Sequence, residues 1–239
     1  MTASEQVGGP QPLRVGTLAF DELDQLDLTG PFEVLSRLPG ATCRIYAKSA
    51  GPVRDVKALT IVADAALSEA PQLDVLHIPG GFGQEALMDD AEVLDWVARQ
   101  AAGARYVLSV CTGALICGAA GLLQGKRATT HWAAHHLLPL FGATAIPARV
   151  VVDGALVSTA GVTAGIDGAL QLAALACGED SAKGIQLSMQ YAPDPPFDSG
   201  TPESAPPHIV EEARAGFRGI TERREVTARR IAQQLGISR

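Results

Sequence analysis

Short apolar runs with little polar alternation recur along this chain, separated by segments of helical spacing. Leu13–Phe20 (LRVGTLAF), Leu73–Ile78 (LDVLHI) and Tyr106–Val110 (YVLSV) are of this kind. A strand that is apolar on both faces must be covered on both, which places such runs inside a parallel sheet. Ala41–Ala47 alternates as a further strand, and Arg149–Ser158 sets an Asp153–Gly154 turn between two valine-rich runs, the pattern of a hairpin. Ala91–Ala102 carries Val93, Leu94, Val97 and Ala101 at helical spacing, and Thr112–Leu123, Gly165–Cys177 and Ser181–Tyr191 also read as helices. A further helix start is signalled by Asp27-Leu28-Thr29-Gly30-Pro31. Strands alternating with helices predict an α/β fold, its sheet mostly parallel and helices on both faces.

The ends of the chain depart from this pattern. Residues 1–12 are polar and rich in Gly and Pro, as in a flexible tail. The α/β domain is expected over 13–191. Ala192–Pro207 holds six of the fifteen prolines, so it is neither helix nor central strand. Only 32 residues follow it. Residues 192–239 are therefore expected to form a proline-rich arm and a C-terminal helix, packed on the body or on a dimer partner.

Composition narrows the classes. Hydrophobic residues make up 47% and charged residues 19% of 239, which fits a globular chain. The net charge of −7 argues against a general nucleic-acid surface. Its distribution is uneven: His208–Arg239 holds seven Arg and four Glu, a net of +3, which leaves −10 elsewhere. Arg229–Arg239 (RRIAQQLGISR) is similar to the first helix and turn of a helix-turn-helix, but the sequence stops where a recognition helix would begin. It reads instead as an amphipathic helix with a solvated basic face. No apolar run reaches membrane-span length, and Met1–Pro12 lacks the layout of a signal peptide. The four cysteines form no CxxC pair, so a reducing, cytoplasmic setting is expected.

Among those cysteines one has a special context. Ser109-Val110-Cys111-Thr112-Gly113 lies at a strand-to-helix junction, with small residues two before and two after the cysteine. A nucleophile elbow needs that arrangement, because the turn lifting the nucleophile above the sheet edge is tight. The helix N-terminus is expected to favour the thiolate and lower the cysteine pKa. The bland alternative is a buried structural cysteine, and for Cys117, inside ALICGAAGLL, that alternative is preferred.

A thiol nucleophile usually has a histidine base, yet none of His77, His131, His135, His136 and His208 adjoins Cys111. His131 and His135 share a helix face at i, i+4 without a third ligand, which points to surface histidines rather than a metal site. Asp27, in the loop after the first strand, is a candidate acid or base, with helix capping as its plain alternative. Pro79-Gly80-Gly81-Phe82-Gly83 ends another strand; it does not match a nucleotide-binding fingerprint, but lets backbone approach a ligand closely.

Together these segments resemble the ThiJ/PfpI superfamily. Val110–Trp132 (VCTGALICGAAGLLQGKRATTHW) is the clearest mark. Gln25–Leu35, Leu76–Met88, Gly161–Leu170 and Tyr191–Glu203 are similar to members that hydrate isocyanides. The resemblance implies a flavodoxin-like three-layer sandwich and conversion of isocyanides to N-formamides through a cysteine thioimidate. By position it implies Cys111 as nucleophile, Asp27 as its carboxyl partner, and Thr112 contacting the site. Gly80, Gly81, Phe82, Gly161 and Val162 would line the pocket. It implies a small-molecule substrate, a homodimer, and neither metal nor organic cofactor. Two departures stand out: Ala160 occupies a position where a glycine-rich run is expected, and Phe82 would narrow the pocket. DLTGP and ATTHW also occur in sensory domains fused to DNA-binding modules, so a redox or ligand sensor remains an alternative. So does another cysteine-dependent enzyme, glyoxalase-like or amide-acting. Protease-like members carry His directly after the cysteine, where this chain has Thr112.

Overall fold

The computed structural model describes residues 12–237. Most of the tail expected over 1–12, and the last two residues of the 192–239 segment, lie outside the described residues. β1 (Arg14–Leu18) leads into α1 (Gln25–Leu35), β2 (Thr42–Ala47) and a small hairpin, β3 (Gly51–Arg54) with β4 (Thr60–Ala63). β5 (Ala65–Ala66) and β6 (Val75–Ile78) precede α2 (Gln84–Leu87) and α3 (Ala91–Gly103). β7 (Tyr106–Val110) runs into α4 (Gly113–Ala119), β8 (Arg127–Ala128), a 3-10 helix over Trp132–Phe141, and β9 (Thr144–Ala145). β10 (Val150–Asp153) and β11 (Leu156–Thr159) form the hairpin predicted around Gly154, whose φ of 63° suits glycine. Three helices complete the chain: α5 (Ala164–Cys177), α6 (Glu179–Ser188) and α7 (Pro207–Gln234).

The main sheet runs β10-β11-β7-β6-β1-β2-β5, parallel throughout except for the β10–β11 pair. This is the mostly parallel α/β sheet expected from the strand and helix pattern, in the flavodoxin-like form that the resemblance implies. Alternate residues of the central strands feed two cores. Val15, Val75, Leu108, Val110 and Val157 pack on one face with α1, α5 and α6. Leu18, Leu76, Ile78, Val107 and Leu156 pack on the other with α3, α4 and the 3-10 helix. From β1 the chain moves one way to β2 and later the other way to β6. The strand order therefore reverses between β1 and β6, and crevices for ligands open at the carboxyl ends of strands at such a point.

Two helix boundaries moved for physical reasons. α1 starts at Gln25, five residues before the Gly30-Pro31 signal, because Asp24 caps it: Oδ1 accepts the Leu26 N–H at 3.1 Å. Pro31 consequently sits inside the helix. α4 stops at Ala119 rather than Leu123, where the chain turns through Gly121 at φ 81°. The short strands β3, β4, β5, β8 and β9 carry too few residues for a periodic signal.

Of the expected arm, Ala192–Pro207, residues 192–206 contain neither helix nor strand, whereas Pro207 opens α7, because the first helical position needs no N–H. α7 is one continuous helix of 28 residues that ends in a turn at Leu235–Gly236, and it lies on α2 and the 3-10 helix of its own chain. Its buried face is Ile220, Arg224, Thr227, Ala228, Ile231 and Ala232, spaced by three or four. Burying each isoleucine contributes on the order of 2 kcal/mol, while the other arginines of α7 are exposed.

Candidate active site

Four strand ends converge at the switch point. β1 delivers Asp27 through the first turn of α1, β6 delivers Gly80 and Gly81, β7 delivers Cys111, and β11 delivers Val162. Asp27 is fully buried, with Oδ2 accepting the Gly80 N–H at 3.0 Å. Its Oδ1 is buried without a hydrogen-bond partner, which favours the protonated acid over a carboxylate. The helical proline anchors this residue indirectly. Pro31 has no N–H to give the carbonyl of Asp27 four residues back. That carbonyl accepts instead from His77 Nε2 at 3.1 Å. His77 Nδ1 then accepts the Thr17 hydroxyl at 3.0 Å, which sets the tautomer and ties β1, β6 and α1 together. Burial lowers the His77 pKa to about 3, so the ring is neutral.

Cys111 occupies the turn between β7 and α4 with φ 54°, a left-handed conformation that a non-glycine residue adopts under strain. The turn is pinned on both sides: the Cys111 N–H donates to the Ala160 carbonyl at 3.1 Å, and the Cys111 carbonyl accepts the Thr130 hydroxyl at 2.6 Å. Gly113 has no room for a side chain, since a Cβ would lie 2.2 Å from the Ile78 carbonyl oxygen. Thr112 Oγ1 accepts the Gly81 N–H at 3.2 Å and lies 3.3 Å from the Gly81 carbonyl. Gly80 packs behind the pair rather than on the pocket wall, where a Cβ would meet Thr112 N at 2.6 Å and Asp27 Oδ2 at 3.0 Å. Gly161 also supports from behind, against His131.

The electrostatics differ from the helix-terminus expectation. The Thr112 and Val162 amides do act to lower the Cys111 pKa, as does the charge of Arg224. Burial, and then Asp27, outweigh them and push the thiol well above its ordinary value. For Asp27, burial first and then the Asp24 carboxylate raise the pKa from 3.8 to about 8, against the Gly80 amide and the Cys111 thiol. Burial makes both groups resist ionisation, and an ionised Asp27 makes Cys111 resist it further, so the pair releases its protons one at a time.

The cavity above Cys111 is lined by Gly81, Phe82, Thr112 and Val162, and by residues that sequence reasoning left aside: Asp24, Val56, His131, Phe217 and Arg224. His131 is no surface histidine. It caps a 3-10 helix, so the i, i+4 face with His135 does not form, and burial and Arg224 lower its pKa to about 4. Phe217 of α7 contacts Phe82, His131 and Trp132 at ring distances of 6.3, 5.2 and 5.7 Å, closing an aromatic wall. The Thr130-His131-Trp132 run follows the β8 edge, but nothing local could tie it to residues 217 and 224. Among the described residues no group of three or more His, Cys, Asp or Glu is placed to hold a metal ion.

A buried cysteine on a strained strand-to-helix turn, facing a buried carboxyl across the carboxyl edge of a flavodoxin-like sheet, defines a class of cysteine-centred α/β proteins. Residues 13–175 match the DJ-1/PfpI family, and the chain belongs to it. It is 49% identical over 222 residues to the isonitrile hydratase of Pseudomonas putida, covering 92% of this chain and 97% of the relative. A ThiJ/PfpI family protein from Pseudomonas syringae superposes with a TM-score of 0.89 at 36% identity, covering 95% of this chain and 99% of that one. A DJ-1 superfamily protein from Salmonella typhimurium, at 28% identity and a TM-score of 0.67, covers 76% of this chain and all of its own.

Proposed function

We propose that this chain hydrates isocyanides to N-formamides, with Cys111 as the nucleophile in its elbow and Asp27 as the group that moves the proton. The observation that carries the reading is the buried Cys111–Asp27 pair, in a chain 49% identical to an isonitrile hydratase along 97% of that relative. The pair holding one proton can place its negative charge on sulfur and the proton on Asp27. Cys111 Sγ adds to the terminal carbon of R–N≡C while Asp27 gives that carbon its proton, leaving a thioimidate, S–CH=N–R. Water then attacks the same carbon, losing a proton to the Asp27 carboxylate, which returns it to nitrogen. The C–S bond breaks, the hydroxyl becomes the formyl carbonyl, and its proton goes back to the pair. The sum is R–NC plus water giving R–NH–CHO, with no redox change. An acid that becomes a base within one cycle needs a pKa near the working pH, and Asp27 at about 8 supports that role.

Thr112 holds the Gly81 turn through its hydroxyl, and the Thr112 and Val162 amides face the sulfur. Phe82 and Phe217 offer an apolar wall to the substituent on the isocyanide nitrogen. The protein is further proposed to work in the reducing cytoplasm as a homodimer. All four cysteines are free thiols, which supports the first, and the exposed apolar side chains of Leu187 and Phe197 support the second. Among the described residues no helix is long and apolar enough to cross a membrane.

Incubation of the purified protein with an aryl or alkyl isocyanide, with N-formamide followed by chromatography, tests the reading. Formation above the uncatalysed rate, lost in C111A, is expected. Absence of formamide from several isocyanides overturns it and returns the site to a sensor or another cysteine chemistry.

A further inference from the structure

Arg224 sits near the middle of the buried face of α7 and is 4% exposed. Its Nε donates to Gln84 Oε1 at 2.9 Å and one Nη donates to the Gly81 carbonyl at 2.7 Å. Both acceptors are neutral. Among the described ion pairs none involves Arg224. A guanidinium taken out of water without a counter-ion is costly, and a fold that keeps one gains something elsewhere. This one forms part of the wall of the cavity above Cys111.

The charged and titratable groups around it come from every element packed there. Asp24 comes from the start of α1, Cys111 from the β7–α4 turn with Asp27 beyond it, His131 from the cap of the 3-10 helix, Glu85 from α2 and Arg223 from α7 itself. His131, held at about 4, is uncharged at neutral pH. Glu85 attracts Arg224 and is partly engaged by the Thr227 hydroxyl at 2.9 Å; Arg223 repels it. The field of Arg224 is felt at Cys111, whereas Asp27 answers to burial, Asp24, the Gly80 amide and the thiol. A cation that acts on one member of a proton-sharing pair biases where the charge lies.

We propose that Arg224 is a positioning residue for the proposed hydration, its charge drawing the negative charge of the Cys111–Asp27 pair onto sulfur while its hydrogen bonds hold the Gly81 turn. The inference rests on the Cys111–Asp27 reading. It assigns to α7, outside the 13–175 family span, a part in the chemistry rather than in packing alone. R–N≡C reacts with the thiolate–carboxylic acid form of the pair, and Arg224 favours that form over thiol–carboxylate.

The test reads the thiol without using an isocyanide. Full-length wild type, R224Q, R224M and R224K are alkylated with iodoacetamide between pH 6 and 10, and Cys111 modification is followed by peptide mass spectrometry. The Cys43 and Cys177 peptides serve as internal references. Both neutral variants are expected to move the Cys111 profile to higher pH by about one unit, a roughly tenfold slower reaction at pH 7.5. R224K, which keeps the charge but loses the planar fork, is expected to stay within about threefold of wild type. Formamide turnover should fall in parallel with alkylation. Cys111 profiles of the neutral variants that overlay wild type overturn the proposal even if turnover drops, because that is the signature of packing alone. So does an R224K profile displaced as far as R224Q. The two neutral variants differ in shape, so the test survives if one fails to fold. Wild type that makes no formamide refutes the hydratase reading and leaves the alkylation result standing on its own.

Discussion

Asp27→Asn separates the acid–base role of Asp27 from any part in building the fold. The amide is nearly isosteric: its oxygen can accept the Gly80 N–H now received by Oδ2, and its nitrogen can fill the place of Oδ1, which has no partner. What changes is the proton. A carboxyl raised from 3.8 to about 8 is displaced by ~4 pH units, on the order of 5 kcal/mol. In the unfolded chain Asp27 ionises near pH 4, while the folded protein holds its proton to about 8. Its contribution is therefore fully present below the unfolded pKa and is lost as pH rises through the folded one. Asp27→Asn removes that slope, so the variant should gain on the wild type steadily from pH 4 to 8 and by a constant amount above. Urea unfolding followed by tryptophan fluorescence at pH 5, 7 and 8.5 measures the gap, with an expected widening of a few kcal/mol. At the same time isocyanide turnover should fall by several orders of magnitude, with Cys111 still present. Unfolding curves whose separation is the same at all three pH values would show that Asp27 does not hold a proton in the folded state. Retained turnover would remove it from the chemistry.

Other perturbations address the remaining parts of the site. Cys111→Ala should abolish turnover with the melting temperature little changed, and intact-mass measurement should lose the substrate adduct seen with wild type. Wild-type turnover should rise with pH through about 8, because the pair must release one proton before sulfur can attack; a flat profile between pH 6 and 9 contradicts the coupled pair. Gly80→Ala would place a Cβ 2.6 Å from Thr112 N, against backbone that cannot easily yield. A stability loss of about 1–3 kcal/mol is expected, with kcat/KM reduced at least a hundredfold. His77→Ala strips a partner from both the Thr17 hydroxyl and the Asp27 carbonyl, at about 2–4 kcal/mol in thermal or urea unfolding; a loss under 1 kcal/mol would mean that water replaces the ring without penalty.

The residues whose meaning is local were legible in the chain. Tyr106–Val110 followed by a cysteine with Ser109 and Gly113 at the small positions could be read as strand, turn and helix because those constraints act within five residues. The hairpin at Asp153–Gly154 was readable for the same reason. Pro31 misled, since a proline after a glycine marks a helix start in most settings, whereas here the missing N–H is matched by a histidine fifty residues away in sequence from Asp27. His131 was set aside because no third ligand accompanies its i, i+4 pairing with His135; that shared face exists only in an α-helix, and Trp132–Phe141 is 3-10.

Sequence alone thus determined the alternation of strands and helices, the position of the strained cysteine and that no histidine adjoins it in the chain. Tertiary structure decided what those residues can do. Folding buried Asp27 against Cys111, raised both pKa values, and brought Phe217 and Arg224 across from a helix more than a hundred residues further along the chain. Backbone geometry is set by neighbours in sequence, but a proton's affinity for its site is set by burial and by charges in space, and those exist only once the sheet, α1 and α7 have packed together.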